Sequence, residues 1–85
     1  MNKTETLLIT ALADLMKVSP DQLSATMTFD EIGVDSLVGL RFIKKIRNVT
    51  GIQIGQQEIF DHPSMRALAQ LLDARSIELT PTVSN

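Results

Sequence analysis

Gly33-Val34-Asp35-Ser36-Leu37-Val38-Gly39-Leu40-Arg41-Phe42-Ile43-Lys44-Lys45-Ile46-Arg47-Asn48-Val49-Thr50-Gly51 is the stretch on which the fold turns. It reads as one helix with both ends marked. Asp35 is a favourable N-cap, because its carboxylate can accept one of the N–H groups left without a partner where a helix begins. The helix is predicted over residues 36–50. Gly51 stops it by supplying the left-handed conformation common just past a helix end. At about 100° per residue, Val38, Phe42, Ile46 and Val49 share an arc of about 80°, the expected buried face. Ser36, Leu37, Leu40, Lys44 and Arg47 lie within about 100° of one another on the other side, with Arg41 beside them. Two leucines therefore stand among cations, directed away from the core. An apolar centre with a charged rim is the make-up of a docking patch. Ser36 takes the first helical position with its hydroxyl accessible. A helix N-terminus carries partial positive charge and free N–H groups, so a phosphate ester is favoured there.

Outward from this helix the chain reads as more helices. Leu7, Leu8, Ala11, Leu12 and Leu15 make an apolar stripe over about residues 4–17, with Thr4 or Thr6 as cap. Ser19-Pro20 is expected to end that helix and to open a short turn over residues 21–23. Residues 24–34 read as a long irregular connection, pinned to the core by Phe29 and Ile32, with Gly33 free to take a positive φ. After Gly51, Ile52-Gln53-Ile54 is expected to be an extended linker whose isoleucines plug the core. Residues 56–60 give about one helical turn, broken by His62-Pro63. Ser64 caps a last helix over about 65–75, with Met65, Leu68, Ala69 and Leu72 on one face and Leu71 on its flank. The expected fold is all-α: a small bundle of three main helices plus a short fourth, with a long loop before the second helix. Residues 1–75 form the domain, and 76–85 are expected to be a flexible tail.

Composition narrows the chemistry. The chain has 85 residues, no cysteine and a formal net charge of -2. A domain of this size buries only about 60–65% of its unfolded surface and has little room for a walled active site. Without cysteine there is no disulfide framework, zinc-thiolate site or thiol nucleophile. No apolar run approaches the roughly 18 residues that span a membrane, so a cytoplasmic protein without membrane contact is expected. Charge is segregated: residues 1–35 carry a net of -4, residues 36–55 carry +4, and residues 56–85 carry -2. The acidic total argues against general nucleic-acid binding, while the basic middle calls for an anionic partner. Asp35-Ser36-Leu37 invites comparison with Gly-Asp-Ser-Leu hydrolases, but Val34 separates Gly33 from Asp35. The single histidine, His62, leaves no self-contained triad. Asp30 and Glu31, adjacent in sequence, do not converge on a metal. No catalytic residue and no metal site is expected.

The string Phe29-Asp30-Glu31-Ile32-Gly33-Val34-Asp35-Ser36-Leu37-Val38-Gly39-Leu40 resembles the prosthetic-group attachment site of acyl carrier proteins. Thr50-Gly51-Ile52-Gln53-Ile54 is similar to that family's end of the second helix and the linker after it. Ile59-Phe60-Asp61-His62-Pro63-Ser64, followed by Leu68-Ala69, is similar to the Phe-Asp-x-Pro-Thr segment of polyketide synthase carrier domains. The resemblance covers about residues 5–75. It implies that Ser36 is converted by a phosphopantetheinyl transferase, with coenzyme A, to bear a 4′-phosphopantetheine arm, with Asp35 beside it. The arm would hold acyl groups as thioesters and present them to a ketosynthase, an acyltransferase, tailoring enzymes or a thioesterase. The protein itself would be a non-catalytic monomer that docks through Leu37, Leu40, Arg41, Lys44 and Arg47.

Two positions depart from the pattern of the resembled fatty-acid carriers, and a third bears on the class. Arg41 stands where they commonly have Glu, which implies acidic or specialised partners. Phe42 replaces a usual Leu. Val34 favours the acyl class over the peptidyl class. The starting methionine and the length suit a free-standing carrier and an excised module equally. Two other readings stand beside the acyl carrier: an aminoacyl or peptidyl carrier of nonribosomal peptide synthesis, and a helical interaction module that bears no arm.

Overall fold

The computed structural model of the chain describes residues 3–79. Among them the elements run α1 (Lys3–Met16), a 3-10 turn (Pro20–Gln22), α2 (Phe29–Ile32), α3 (Ser36–Thr50), α4 (Gln56–Asp61) and α5 (Met65–Leu79). The three long helices are the three expected. α1 packs against both α3 and α5. Leu8 and Leu12 of α1, Phe42 and Ile46 of α3, and Met65, Leu68 and Leu72 of α5 are no more than 1% exposed. Each such side chain contributes about 1.5–3 kcal/mol relative to standing in water. Ile9 and Ala13 extend the buried face of α1, while Leu7 and Leu15 are only half-buried.

Helix ends follow local chemistry. α1 stops ahead of the expected Ser19-Pro20 breaker, because Lys17 takes the left-handed conformation at φ 58°. The Val18 N–H then donates to the Ala13 carbonyl at 3.0 Å and the Lys17 N–H to the Asp14 carbonyl at 3.3 Å. That is the paired closure typical of helix C-termini, here with a side chain where glycine is usual. Thr4 does not act as a cap; its hydroxyl donates to the Asp73 carboxylate of α5. Ser19 caps the 3-10 turn as expected, in a reciprocal box with Gln22. Ile52 and Ile54 are buried, as expected of linker residues that plug the core.

Residues 24–34 are more ordered than the sequence suggests. Thr28 and Glu31 form a capping box, with the Glu31 N–H donating to Thr28 Oγ1 at 3.1 Å and the Thr28 N–H donating to Glu31 Oε1 at 2.9 Å. This box starts α2, which Gly33 closes at φ 98°. The Phe29 N–H donates to the Pro63 carbonyl at 2.8 Å, and the Arg66 N–H donates to the Ala25 carbonyl at 2.9 Å. The Phe29 ring meets Phe42 edge-on, with centroids 5.8 Å apart. The connection is thereby sewn to α3 and to the start of α5.

Two other expectations are corrected. Val49 is 49% exposed rather than buried. It borders an open depression between α1 and α3, beside Leu7 and Lys45, and no helix of the described residues covers that end. α5 continues to Leu79, past the expected end near residue 75. The remainder of the expected tail, 80–85, lies outside the described residues.

α4 is held in place by polar contacts. The Glu58 carboxylate accepts the Gly55 N–H and pairs with Arg75 of α5. Arg75 also donates to the Gln53 carbonyl at 3.2 Å. The Gly55 N–H, and after it Arg75, hold the Glu58 carboxyl below its ordinary value of 4.5, against the opposing effect of burial. A carboxyl lowered in the folded state contributes stability that is present above the unfolded pKa and is lost as pH falls through the folded pKa. Asp14, lowered by its hydrogen bond and charge pairing with Lys45, acts in the same direction.

Two predictions follow from these contacts. Glu58→Gln lowers stability at neutral pH and flattens, without abolishing, the acid-side decline, as read by denaturant titration at a series of pH values. Gly39 is a buried helical residue, and a Cβ built there meets nothing closer than 3.8 Å. Gly39→Ala therefore raises the unfolding free energy by about 0.5–1 kcal/mol, seen as a higher denaturant midpoint with unchanged slope.

Candidate functional site

The site is built at the corner where α2 hands over to α3. Gly33 turns the chain, and the Val34 N–H donates back to the Phe29 carbonyl at 2.9 Å. Asp35 follows in extended conformation and accepts the Val38 N–H on Oδ1 at 2.9 Å. Its carbonyl accepts the Gly39 N–H at 2.8 Å. Asp35 is thus the cap that the sequence implies. The N–H groups of Ser36 and Leu37 are left at the open end of α3 without an acceptor among the described residues. Ser36 is exposed, and its hydroxyl makes no hydrogen bond within the described residues. A free hydroxyl beside two unsatisfied N–H groups and a positive helix end suits a phosphodiester at this oxygen.

The outer face of α3 is as expected. Leu37 is 57% and Leu40 55% exposed. Arg41, Lys44 and Arg47 are exposed and pair with no carboxylate of the described residues. Lys45, from the same basic run, turns the other way and pairs with Asp14 of α1. The structure therefore brings Ser36, Leu37, Leu40, Arg41, Lys44 and Arg47 onto one open surface. Among the described residues their charges have no internal partner.

A second feature escapes a linear reading. A groove of about 400 Å³ opens beside Ser36, walled by α2, α3 and α4. Its apolar walls come from Phe29, Val34, Ile59, Phe60 and Pro63, with Gly39 on α3 and the amide of Gln56 across from it. Gln56 Nε2 donates to the Ser36 carbonyl at 3.3 Å, tying α4 to the start of α3. Phe60, 70% exposed, is the most exposed large apolar side chain of the described residues. One signal for it lies in the sequence. Ile59 and Phe60 are neighbours on a helix of six residues, which can bury only one of them, and Ile59 is the one buried.

Among the described residues no group of three or more His, Cys, Asp or Glu could hold a metal ion. No helix among them is long and apolar enough to cross a membrane.

Comparison with known proteins agrees with this geometry. The family model of the phosphopantetheine attachment site matches residues 6–72. Erythronolide synthase EryA2 of Saccharopolyspora erythraea is 36% identical over 59 residues, which are 69% of this chain and 2% of that protein. Polyketide synthases PksL and PksR of Bacillus subtilis also match, and the chain spans only 1–2% of their length. A free-standing peptidyl carrier protein from Acinetobacter baumannii superposes with a TM-score of 0.78 at 25% identity, covering 85% of this chain and 90% of that one. The A1-type ACP domain from module 5 of MLSA1 superposes with a TM-score of 0.76 at 27% identity, covering 95% and 78%. The group named by the family is 4′-phosphopantetheine, and an exposed serine at a helix N-terminus beside an apolar groove fits it. With the match running through α1, α3 and α5 alike, this chain belongs to the phosphopantetheine attachment-site family.

Proposed function

We propose that Ser36 is the attachment residue and that the chain is an acyl carrier of polyketide synthesis. The observation that carries this reading is the free Ser36 hydroxyl at the capped, open end of α3. In a reaction run by a phosphopantetheinyl transferase, the Ser36 oxygen attacks the phosphorus of coenzyme A that bears the pantetheine. A phosphodiester forms, adenosine 3′,5′-bisphosphate leaves, and the hydroxyl proton goes to a base of the transferase. Asp35 holds the helix end and stands beside the reacting oxygen. The bound group supplies the thiol that the cysteine-free chain lacks, and with it thioester chemistry.

The chain's own residues do the rest by presentation. Leu37 and Leu40 offer apolar area, and Arg41, Lys44 and Arg47 offer positive charge, unpaired among the described residues, to an acidic enzyme surface. Ketosynthase, acyltransferase, tailoring enzymes and thioesterase are the proposed partners of a non-catalytic, monomeric, cytoplasmic carrier. The polyketide synthases among its relatives support the acyl class. The peptidyl carrier among its structural neighbours supports the aminoacyl carrier as second reading.

Incubation with coenzyme A and a broad-specificity transferase adds the mass of one arm to the wild type and none to Ser36→Ala, by intact mass spectrometry. Malonyl donors then load the holo protein and aminoacyl donors do not. The reverse preference would establish the peptidyl reading. A non-carrier interaction module would gain no mass, and its binding would be indifferent to Ser36→Ala.

The outer face gives its own prediction. Leu40→Asp weakens enzyme docking about tenfold, equivalent to about 1.4 kcal/mol, with folding stability changed by no more than about 0.5 kcal/mol. Lys44→Glu with Arg47→Glu chiefly slows association, and the loss shrinks at high salt. Surface plasmon resonance against a cognate enzyme, paired with denaturation curves, checks both.

A further inference from the structure

α1 and α3 lie side by side, and only one side of the seam between them is covered. Toward the core, α1 packs on both α3 and α5. On the other side, Leu7, Ala11 and Val49 floor an open depression of about 610 Å³, with Thr6 and Thr10 along one edge and Lys45 along the other. Past Lys45 and Val49 it runs on into a second depression, lined by Leu15, Arg41, Lys44 and Asn48. The two make one trough. Leu7, Ala11 and Leu15 follow one another at a spacing of four, so they form a straight apolar ridge along α1. Val49 faces that ridge from α3, 49% exposed.

Charge along the trough has one sign. Asp14 is the single acid among the residues that line it, and Lys45 pairs with it. Lys3 at one end and Arg41 and Lys44 at the other pair with no carboxylate of the described residues. An apolar floor with cations at both ends is complementary to a helix that is apolar on one face and acidic beside it. From Lys3 to Leu15 the ridge runs about 18 Å, the length of a helix of about twelve residues. A second copy of this chain offers no such helix among its described residues. Leu37 and Leu40 stand among cations, and Phe60 belongs to a helix of six residues.

We propose that the α1–α3 trough is a second docking surface, and that its partner is an acidic amphipathic helix of another protein. The surface stands independently of Ser36 as the attachment residue. Val49 lies about 20 Å along α3 from Ser36. Arg41 and Lys44 border both surfaces, but Ser36, Leu37 and Leu40 line no part of the trough. A partner seated there holds the carrier while the serine end of α3 stays open to other enzymes.

The probe is a stapled helical peptide of about twelve residues, with leucines at the three-and-four spacing and glutamates on both flanks. Its control carries lysine for every glutamate. Titrated into the ¹⁵N-labelled chain, the acidic peptide shifts the amides of Leu7, Thr10, Ala11, Lys45 and Val49, and the lysine peptide binds at least about tenfold more weakly. Val49→Asp and Thr10→Glu, both at exposed positions, each weaken the acidic peptide at least about fivefold with unchanged denaturation midpoints. Val49→Asp still gains the arm's mass, and Leu40→Asp still binds the peptide. In the host, benzoylphenylalanine in place of Val49 cross-links to an acid-rich segment of another protein with apolar residues at helical spacing. Peptide shifts centred on Leu37 and Leu40, equal binding of the lysine peptide, or no shift at about millimolar peptide would overturn the proposal. So would cross-links to a second copy of this chain or to a basic segment. None of these outcomes bears on whether Ser36 accepts the arm, which the added mass reports separately.

Discussion

A chain of this size can bury only one face of its second long helix, and most of the molecule's behaviour follows from which face that is. Phe42 and Ile46 are fully shielded among Leu8, Leu12, Met65, Leu68 and Leu72. Together these contacts contribute on the order of 10 kcal/mol of apolar burial, larger than any single surface ion pair contributes. They set the rotation of α3 about its axis. Once that rotation is set, Ser36, Leu37, Leu40 and the cations Arg41, Lys44 and Arg47 have to face outward. This outward surface is the complement of the core, and substitutions there leave the buried contacts intact.

The start of α3 is determined separately, by backbone chemistry. Thr28 and Glu31 box the beginning of α2, Gly33 closes it, and Asp35 opens α3 one residue before the serine. The Phe29–Phe42 ring contact ties this corner to the core. On the other side, Arg75 and Glu58 strap α4 to α5, and Gln56 reaches across to the Ser36 carbonyl. The backbone of the exposed serine is therefore held by contacts on both sides, while its hydroxyl makes no hydrogen bond among the described residues.

The bounds of α3 were legible because both ends carry residues with a single strong local preference, Asp35 and Gly51. Its outward leucines were legible because helical periodicity separates them cleanly from Phe42 and Ile46. Val49 shows the limit of that reasoning. The wheel gives an angle, but among the described residues no helix reaches far enough to cover it. α2 was missed because four residues carry no periodicity, although Thr28 and Glu31 hold the spacing of a capping box. The extension of α5 to Leu79 was missed because polar Ser76 reads as an end, while no glycine or proline interrupts the chain before Pro81. The groove was illegible for a deeper reason. It joins Phe29, Val34 and Gly39 to Ile59 and Phe60, and only tertiary packing brings those segments together.

The central claim is that one hydroxyl, presented by the end of α3, carries the prosthetic group and its cargo. The most direct measurement is fragmentation mass spectrometry of the protein isolated from its own host, read at the peptide containing Ser36. The account predicts the phosphopantetheine mass on Ser36 itself, extended in part of the population by an acyl thioester. The arm on another hydroxyl, or a Ser36 that is never modified in the host, would contradict it.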